Sequence, residues 1–415
     1  MTVFVCAYCF GHAASAAELP QAATSPQQIA LDKLRQTAYE DWKEGRLASA
    51  ADRYQEILRL SKSFKIAAEQ HAKDLQSMGA LCGELGHYED AKAYYSREVE
   101  VLRGSGNPAA AGQAYLSVAG ILQIEGSFSE AETSYQNAIE ALSRSAGTKD
   151  IRTAAALNGL GWLYTLWGRT EEAGRLLEKA RVTAEKSLAP GDPRLIHFVD
   201  AQASFLATTG RYSEAEKLWK QAIEIGEKAY PGQERNYDEV FLHLGQVYAI
   251  THDYGSAEAM FQRFLAIDKQ AIGPSAAIRA VATAEIARIY TDEHKYGNAE
   301  LLFSQSLQMM ESERNKVPLS YSLIQSYLGD YYMERSRWRD AEKQYRNALQ
   351  MRIAMLGEHA SDVAASMVSL SKALRKLHRK KEANQYLAQA SSIAAVQQNP
   401  VYRAETIDVR AFREK

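Results

Sequence analysis

The sequence predicts an all-α fold, an α-solenoid of about nine stacked helix-turn-helix hairpins. Three observations predict it. An alanine recurs at Ala50, Ala91, Ala131, Ala173, Ala215, Ala257, Ala299, Ala341 and Ala383, at intervals of 41, 40 and then 42 residues. Twelve residues before each alanine stands a small residue: Ala38, Gly79, Ala119, Gly161, Ala203, Gly245, Ala287, Gly329 and Ser371. Four residues after it stands a large one, usually aromatic: Tyr54, Tyr95, Tyr135, Leu177, Trp219, Phe261, Phe303, Tyr345 and Leu387. Counted from the alanine, these are positions −12 and +4.

Each copy holds two apolar-periodic segments of about four turns, too long for strands. The first, helix A, carries the small residue. The second, helix B, carries the alanine and the large side chain. Small residues at a crossing let two helix axes approach to the lower end of the 8–10 Å range. The +4 side chain lies one turn beyond the alanine on the same face, and is expected to fill the gap between one hairpin and the next. A breaker follows helix B in most copies, among them Pro108, Gly147, Pro190, Pro231, Gly273, Pro318, Gly357 and Pro400, where the helix must stop. One hairpin cannot bury both its faces, so each must stack on another.

The turn between helices A and B has glycine at Gly45, Gly86, Gly126, Gly168 and Gly210, whereas His252 and His294 take the same slot. Histidine tolerates left-handed backbone better than most residues, so a turn role is expected for both. A shared metal is not expected. Equivalent positions in adjacent hairpins are separated by roughly 10 Å, whereas metal–nitrogen bonds are near 2 Å.

The chain has 415 residues, 46% hydrophobic and 24% charged, with 9 prolines. That is too long for one compact core and too apolar for disorder. The formal net charge of −2 leaves no electrostatic footprint for nucleic acid or anionic membrane. Cys6, Cys9 and Cys82 are the three cysteines, which excludes a disulfide framework and a thiolate metal cluster.

At the N-terminus, an apolar run from Val3 to Phe10 leads to Ala14-Ser15-Ala16-Ala17. This resembles the end of a secretory signal peptide, although no Lys or Arg precedes the run. The expected organisation is a signal peptide over 1–16, complete or truncated, and a polar linker over 17–30. Nine repeats follow over 31–397, with a C-terminal cap or tail over 398–415. The expected location is periplasmic or secreted, with a cytoplasmic location as the alternative. The apolar run is too short to span a membrane, and no later segment could.

These residues resemble the tetratricopeptide repeat, with its small residue in helix A, alanine twelve later and aromatic four beyond. The 42-residue unit is longer than the usual 34. With the stretches Ala156-Leu157-Asn158-Gly159-Leu160-Gly161-Trp162-Leu163-Tyr164 and Met355 to Ala364, it is similar to the kinesin light chain subtype. The resemblance covers residues 31 to 397. It implies a right-handed solenoid without cofactor or metal, whose helix-A groove takes one or more proteins or peptides and no nucleic acid. In the light-chain subtype, helix-A asparagines hold extended peptide backbone. Asn158 matches that motif, whereas Asp200, Ser326 and Val368 stand at the corresponding places.

Positions −15, −11 and −8 of helix A are expected to face the groove. The candidate binding residues drawn from them are Tyr39, Trp42, Asn158, Trp162, Thr165, Ser204, Gln246, Arg288, Asp330, Lys372 and Arg375. Core positions repeat their residue type from copy to copy, and these do not. Such variation fits a tailored ligand surface or an unconstrained solvent face. Trp162 is the leading anchor, since rigid aromatics dominate binding energy when they fill pockets; the alternative is packing on the adjacent hairpin. The last repeat is basic, with Lys372, Arg375, Lys376, Arg379, Lys380 and Lys381. It suits an acidic partner or a solvated terminal cap.

No phosphate loop, zinc helix or nucleophile elbow occurs. A lone helical cysteine such as Cys82 reads as packing rather than as a nucleophile. The sequence therefore points to a protein- or peptide-binding scaffold, exported. A cytoplasmic regulatory adaptor is the alternative, and an enzyme with a groove active site comes last.

Overall fold

The structure is a computed structural model that describes residues 26–398 except 65, 147–149, 268–273, 312–317 and 359. Eighteen α-helices and no strand occur among the described residues. The chain divides into two compact units, one ending in residues 171–190 and the other comprising residues 165–170 and 191 onward.

The N-terminal unit contains four hairpins: α1 (Pro26–Lys43) with α2 (Leu47–Ser61), α3 (Ala68–Glu84) with α4 (Tyr88–Gly104), α5 (Pro108–Ile124) with α6 (Phe128–Ala146), and α7 (Ile151–Leu166) with α8 (Thr170–Ser187). The C-terminal unit contains five. They are α9 (Leu195–Thr208) with α10 (Tyr212–Ala229), α11 (Asp238–Ile250) with α12 (Tyr254–Ile267), and α13 (Pro274–Asp292) with α14 (Tyr296–Met309). Then come α15 (Pro318–Glu334) with α16 (Trp338–Leu356) and α17 (Ser361–Lys376) with α18 (Lys380–Gln398). No helix of the described residues is long and apolar enough to cross a membrane.

Helix α1 starts at Pro26, inside the stretch expected to be a polar linker. Proline suits the first position of a helix, where its missing N–H is not needed, and the buried Leu31 ties the second turn to the core. The stretches expected to be a signal peptide, and all but the first residue of the expected tail, lie outside the described residues.

Packing follows the repeat. All nine recurring alanines are 0% exposed. The −12 residues are buried, and so are the +4 residues except the partly buried Leu387. The two positions meet. A Cβ built on Gly79 would stand 2.8 Å from Tyr95 Cε1, and one on Gly329 would stand 2.5 Å from Tyr345 Cε1. The +4 ring therefore sits on the small residue of its own hairpin. This corrects the expectation that it only plugs the gap to the next one. Tyr135 does reach across, pressing on Gly159 of the following helix A.

All nine A–B turns have positive φ at position −5, five through glycine and four through His252 (62°), His294 (61°), Ser336 (57°) and His378 (61°). The turn role read for His252 and His294 is thus the observed one. His294 Nδ1 also lies 2.9 Å from the Tyr296 hydroxyl.

Adjacent hairpins are further tied by a polar ladder that the sequence reading did not find. A tyrosine at −9 donates to a glutamate at +1 of the preceding copy. Tyr248 reaches Glu216 at 3.1 Å and Tyr290 reaches Glu258 at 2.6 Å, while Tyr164 reaches Glu132 in the same way. Hydrogen bonds to an ionised acceptor are the stronger kind.

Candidate binding face on the A helices

In the C-terminal unit, helices α9, α11, α13 and α15 touch one another in succession, so their outward sides form one surface. Positions −18, −14, −11 and −7 run along it; there Val281 and Glu285 are buried, at 3% exposure each, while His197, Glu239, His243, Tyr327 and the −11 residues are half-buried or exposed. Steps of four, three and four residues trace one stripe along a helix.

The −11 row places Ser204, Gln246 and Arg288 half-buried on this face and Asp330 and Lys372 exposed on it. The −15 and −8 rows are mixed, with Asp200 and Ser326 at −15 and Ala207 and Met333 at −8 half-buried. Leu242 and Ala284 at −15 are 0% exposed, while Ala249 and Thr291 at −8 are also buried. Two candidates fall with them: Asn158 and Thr165 are enclosed, at 5% and 6% exposure. Position −8 is one turn beyond the small residue at −12 and shares its buried side. Position −15 turns towards the neighbouring hairpin. Arg375, also at −8, is exposed on α17, the last A helix described.

In the N-terminal unit, Tyr39, Trp42 and Trp162 are half-buried. The indole of Trp42 is engaged, donating to Glu84 Oε2 at 3.0 Å and standing edge-on to Tyr54 at 6.5 Å. Beside Tyr39, Arg35 grips Asp74 with two hydrogen bonds of 2.8 and 2.7 Å, the fork-to-carboxylate pairing that arginine favours.

Two polar clusters lie along the A helices of the C-terminal unit. In the first, Asp200 Oδ1 accepts from Trp219 Nε1 at 2.7 Å and lies 2.8 Å from His243 Nδ1. Burial pushes the Asp200 pKa up, but His243 and the Trp219 hydrogen bond outweigh it and hold the carboxyl below its usual range. Burial likewise opposes protonation of His243, and Asp200 overrides it, so His243 titrates above an ordinary histidine. His197, one turn away, is pushed down by burial. Burial raises Glu239.

In the second cluster, Tyr327 donates to Glu285 Oε1 at 2.7 Å and Arg288 Nε donates to Glu285 Oε2 at 3.0 Å. The Arg288 guanidinium lies 5.6 Å from the centre of the Tyr327 ring. Tyr345 donates to Asp330 Oδ1 at 2.5 Å. Asp330 is exposed, yet desolvation raises its pKa despite Tyr345, Lys372 and Arg288.

Such a surface offers paired donors, acceptors and aromatic edges at fixed spacing. Among the described residues, no group of three or more His, Cys, Asp or Glu side chains is arranged to hold a metal ion. Cys82 is buried in the N-terminal core, where burial pushes its thiol pKa up.

The model of the tetratricopeptide repeat matches residues 111–186, 198–270, 238–312 and 320–395, more than half of the chain. The chain belongs to the tetratricopeptide repeat family.

No curated protein matches the sequence. Among solved structures, the apo quorum sensor NprR from B. thuringiensis is similar, at 12% identity over 88% of this chain and 99% of that one, with a TM-score of 0.60. A Rap protein complexed with Competence and Sporulation Factor is 13% identical over 89% of this chain and 98% of its own, with a TM-score of 0.58. Repeats of a putative kinesin light chain from Podosopora anserina are 19% identical over 50% of this chain and 98% of theirs, with a TM-score of 0.43. At these identities the likeness is one of fold.

Within the tetratricopeptide framework, the polar-cluster residues that sequence reasoning missed are His197, Glu239 and His243, with the half-buried Tyr327 and the buried Glu285 it bonds, at −18 and −14. A signal for −14 was present: polar or aromatic residues there in three consecutive copies, His243, Glu285 and Tyr327, beside an apolar core.

Proposed function

We propose that this chain is a scaffold that binds an extended peptide or a protein segment on the helix-A face. The observation that carries this reading is the contrast between rows. Buried positions repeat their residue type, whereas the half-buried and exposed −11 row changes from Gln246 to Arg288 to Asp330 to Lys372. A uniform backbone bearing different side chains at each step is suited to reading a sequence of side chains. Support also comes from the fold shared with the quorum sensor NprR and with the Rap protein solved with Competence and Sporulation Factor.

The test is partner capture in the native host by crosslinking, comparing the parent chain with a variant altered at Gln246 and Asp330. A partner held by the parent and released by the variant supports the reading. Partners retained equally by both overturn the assignment of this face. Export is proposed on the Val3 to Ala17 pattern; mass spectrometry of the mature N-terminus tests it, and an uncleaved chain in the cytoplasm points instead to a regulatory adaptor.

A further inference from the structure

We propose that Arg352 anchors an acidic side chain of the bound peptide, where α15, α16 and α17 meet. This deepens the peptide-binding reading and rests on it.

Position +11, counted from the recurring alanine, is small or apolar in Ser61, Leu102, Leu142, Ala184, Gly226, Met310 and Ala394, and is Asp268 in the sixth copy. In the eighth copy it is arginine. The side chain is 9% exposed. Its Nε donates to Ser322 Oγ on α15 at 3.2 Å and its Nη1 to Ser366 Oγ on α17 at 2.5 Å. Each serine has its own hydroxyl hydrogen committed to a backbone carbonyl, Leu319 at 2.7 Å and Asp362 at 2.7 Å. The serine oxygens can therefore only accept, and they fix the guanidinium plane.

The charge itself is unanswered. No carboxylate of the described residues lies within ion-pair distance of Arg352, unlike Arg35 with Asp74, Arg288 with Glu285 and Arg346 with Glu342. The nearest acids, Asp362 and Asp330, act on it only through space, as does Tyr327. The third nitrogen, Nη2, makes no hydrogen bond among the described residues.

A buried guanidinium with neutral partners is unfavourable unless an anion completes it. One free nitrogen suits one carboxylate oxygen better than a phosphate with several. The two helices whose serines hold Arg352 also carry exposed charges, Asp330 on α15 and Lys372 on α17. A peptide crossing there passes over the site and lowers a side chain into it, rather than ending in it.

The experiment selects peptides from a random library on the full chain, then measures the selected peptides individually. A double-mutant cycle pairs Glu→Gln or Asp→Asn in the peptide with Arg352→Met in the protein. The expected result is a shared acidic residue whose amide form binds the parent about tenfold more weakly, with little change on Arg352→Met. The unliganded Arg352→Met chain should melt at or above the parent, since an unanswered buried charge is removed. Arg352→Gln, which removes the charge and keeps a donor for the serines, supplies the same cycle if the methionine variant does not fold.

Selected peptides without a shared acid, or an amide effect equal on both proteins, would overturn the anchor and leave the peptide-binding reading standing. Binding lost on amidation of the peptide C-terminus but not on Glu→Gln would overturn the side-chain assignment. Selection of no peptide by the parent overturns both readings.

Discussion

A Cβ on Gly245 would stand 2.8 Å from Phe261 Cε1, so α11 and α12 cross at a separation that leaves no room for a side chain at that point. Replacing Gly245 by leucine should force the helices apart and cost about 1–3 kcal/mol through overpacking. Because each hairpin leans on its neighbours, the loss should spread to adjacent copies. Thermal melting and hydrogen exchange of the two flanking hairpins check this; an unchanged melt contradicts the crossing.

Tyr290 and Glu258 join adjacent hairpins. The Glu258 hydrogen bond, together with burial, pushes the Tyr290 hydroxyl up to about 12. Tyr290→Phe should cost about 1 kcal/mol, and Glu258→Gln less than that, because an amide oxygen still accepts. A double-mutant cycle in urea should show interaction between the two changes. Strict additivity would mean the ladder contributes nothing to the seam.

Glu98 occupies position +7, where five copies carry alanine. It is 4% exposed, its Oε2 has no hydrogen-bond partner, and burial raises its pKa from 4.5 to about 8. The folded chain thus holds this proton more tightly than the unfolded chain. Its contribution to stability is full below about pH 4.5 and is lost as pH rises to about 8. Glu98→Gln should flatten that slope and leave the variant more stable than the parent at pH 8–9. Urea midpoints measured from pH 5 to pH 9 decide it.

The Asp200–His243 pair has the opposite signature at each end. His243 is raised above 6.5, so its contribution is present below that value and disappears as pH rises through the folded value. Asp200 is lowered below 3.8, so its contribution is present above that value and disappears as pH falls through the folded value. The pair should stabilise most between the two, and His243→Gln should remove the loss seen on the alkaline side. NMR titration of the His243 ring gives the direct check; a midpoint at or below an ordinary histidine contradicts the pairing.

His378 stands in a turn with φ of 61°. Left-handed backbone costs most residues about 1–2 kcal/mol relative to glycine. His378→Gly should therefore be neutral or stabilising by up to about 1 kcal/mol, and His378→Val destabilising. Comparison of the two melts tests the turn.

The hairpins were legible because their determinants are close in the chain. Gly245 and Phe261 lie 16 residues apart, and the pairing of a small residue with a large one, a ring in seven copies and Leu177 or Leu387 in the other two, recurs along the chain. The turn histidines could be read the same way, by the slot they share with glycine. The candidate face was legible only in part. Position −11 was placed on the open side, but Asn158 and Thr165 were assigned to it and are enclosed. A one-residue error rotates a side chain by about 100° around the helix, enough to move it from groove to seam.

The sequence by itself determined the number of hairpins, the crossing within each and the left-handed turn, because these are local and repeated nine times. Only the tertiary structure decided which stripe of each A helix stays open. It also decided that Tyr290 meets Glu258 from 32 residues away and that Arg352 is lodged between Ser322 and Ser366. The reason is geometric: the rotation of a helix about its own axis is set by the neighbours on both sides of it, and their contacts are not written in any one copy of the repeat.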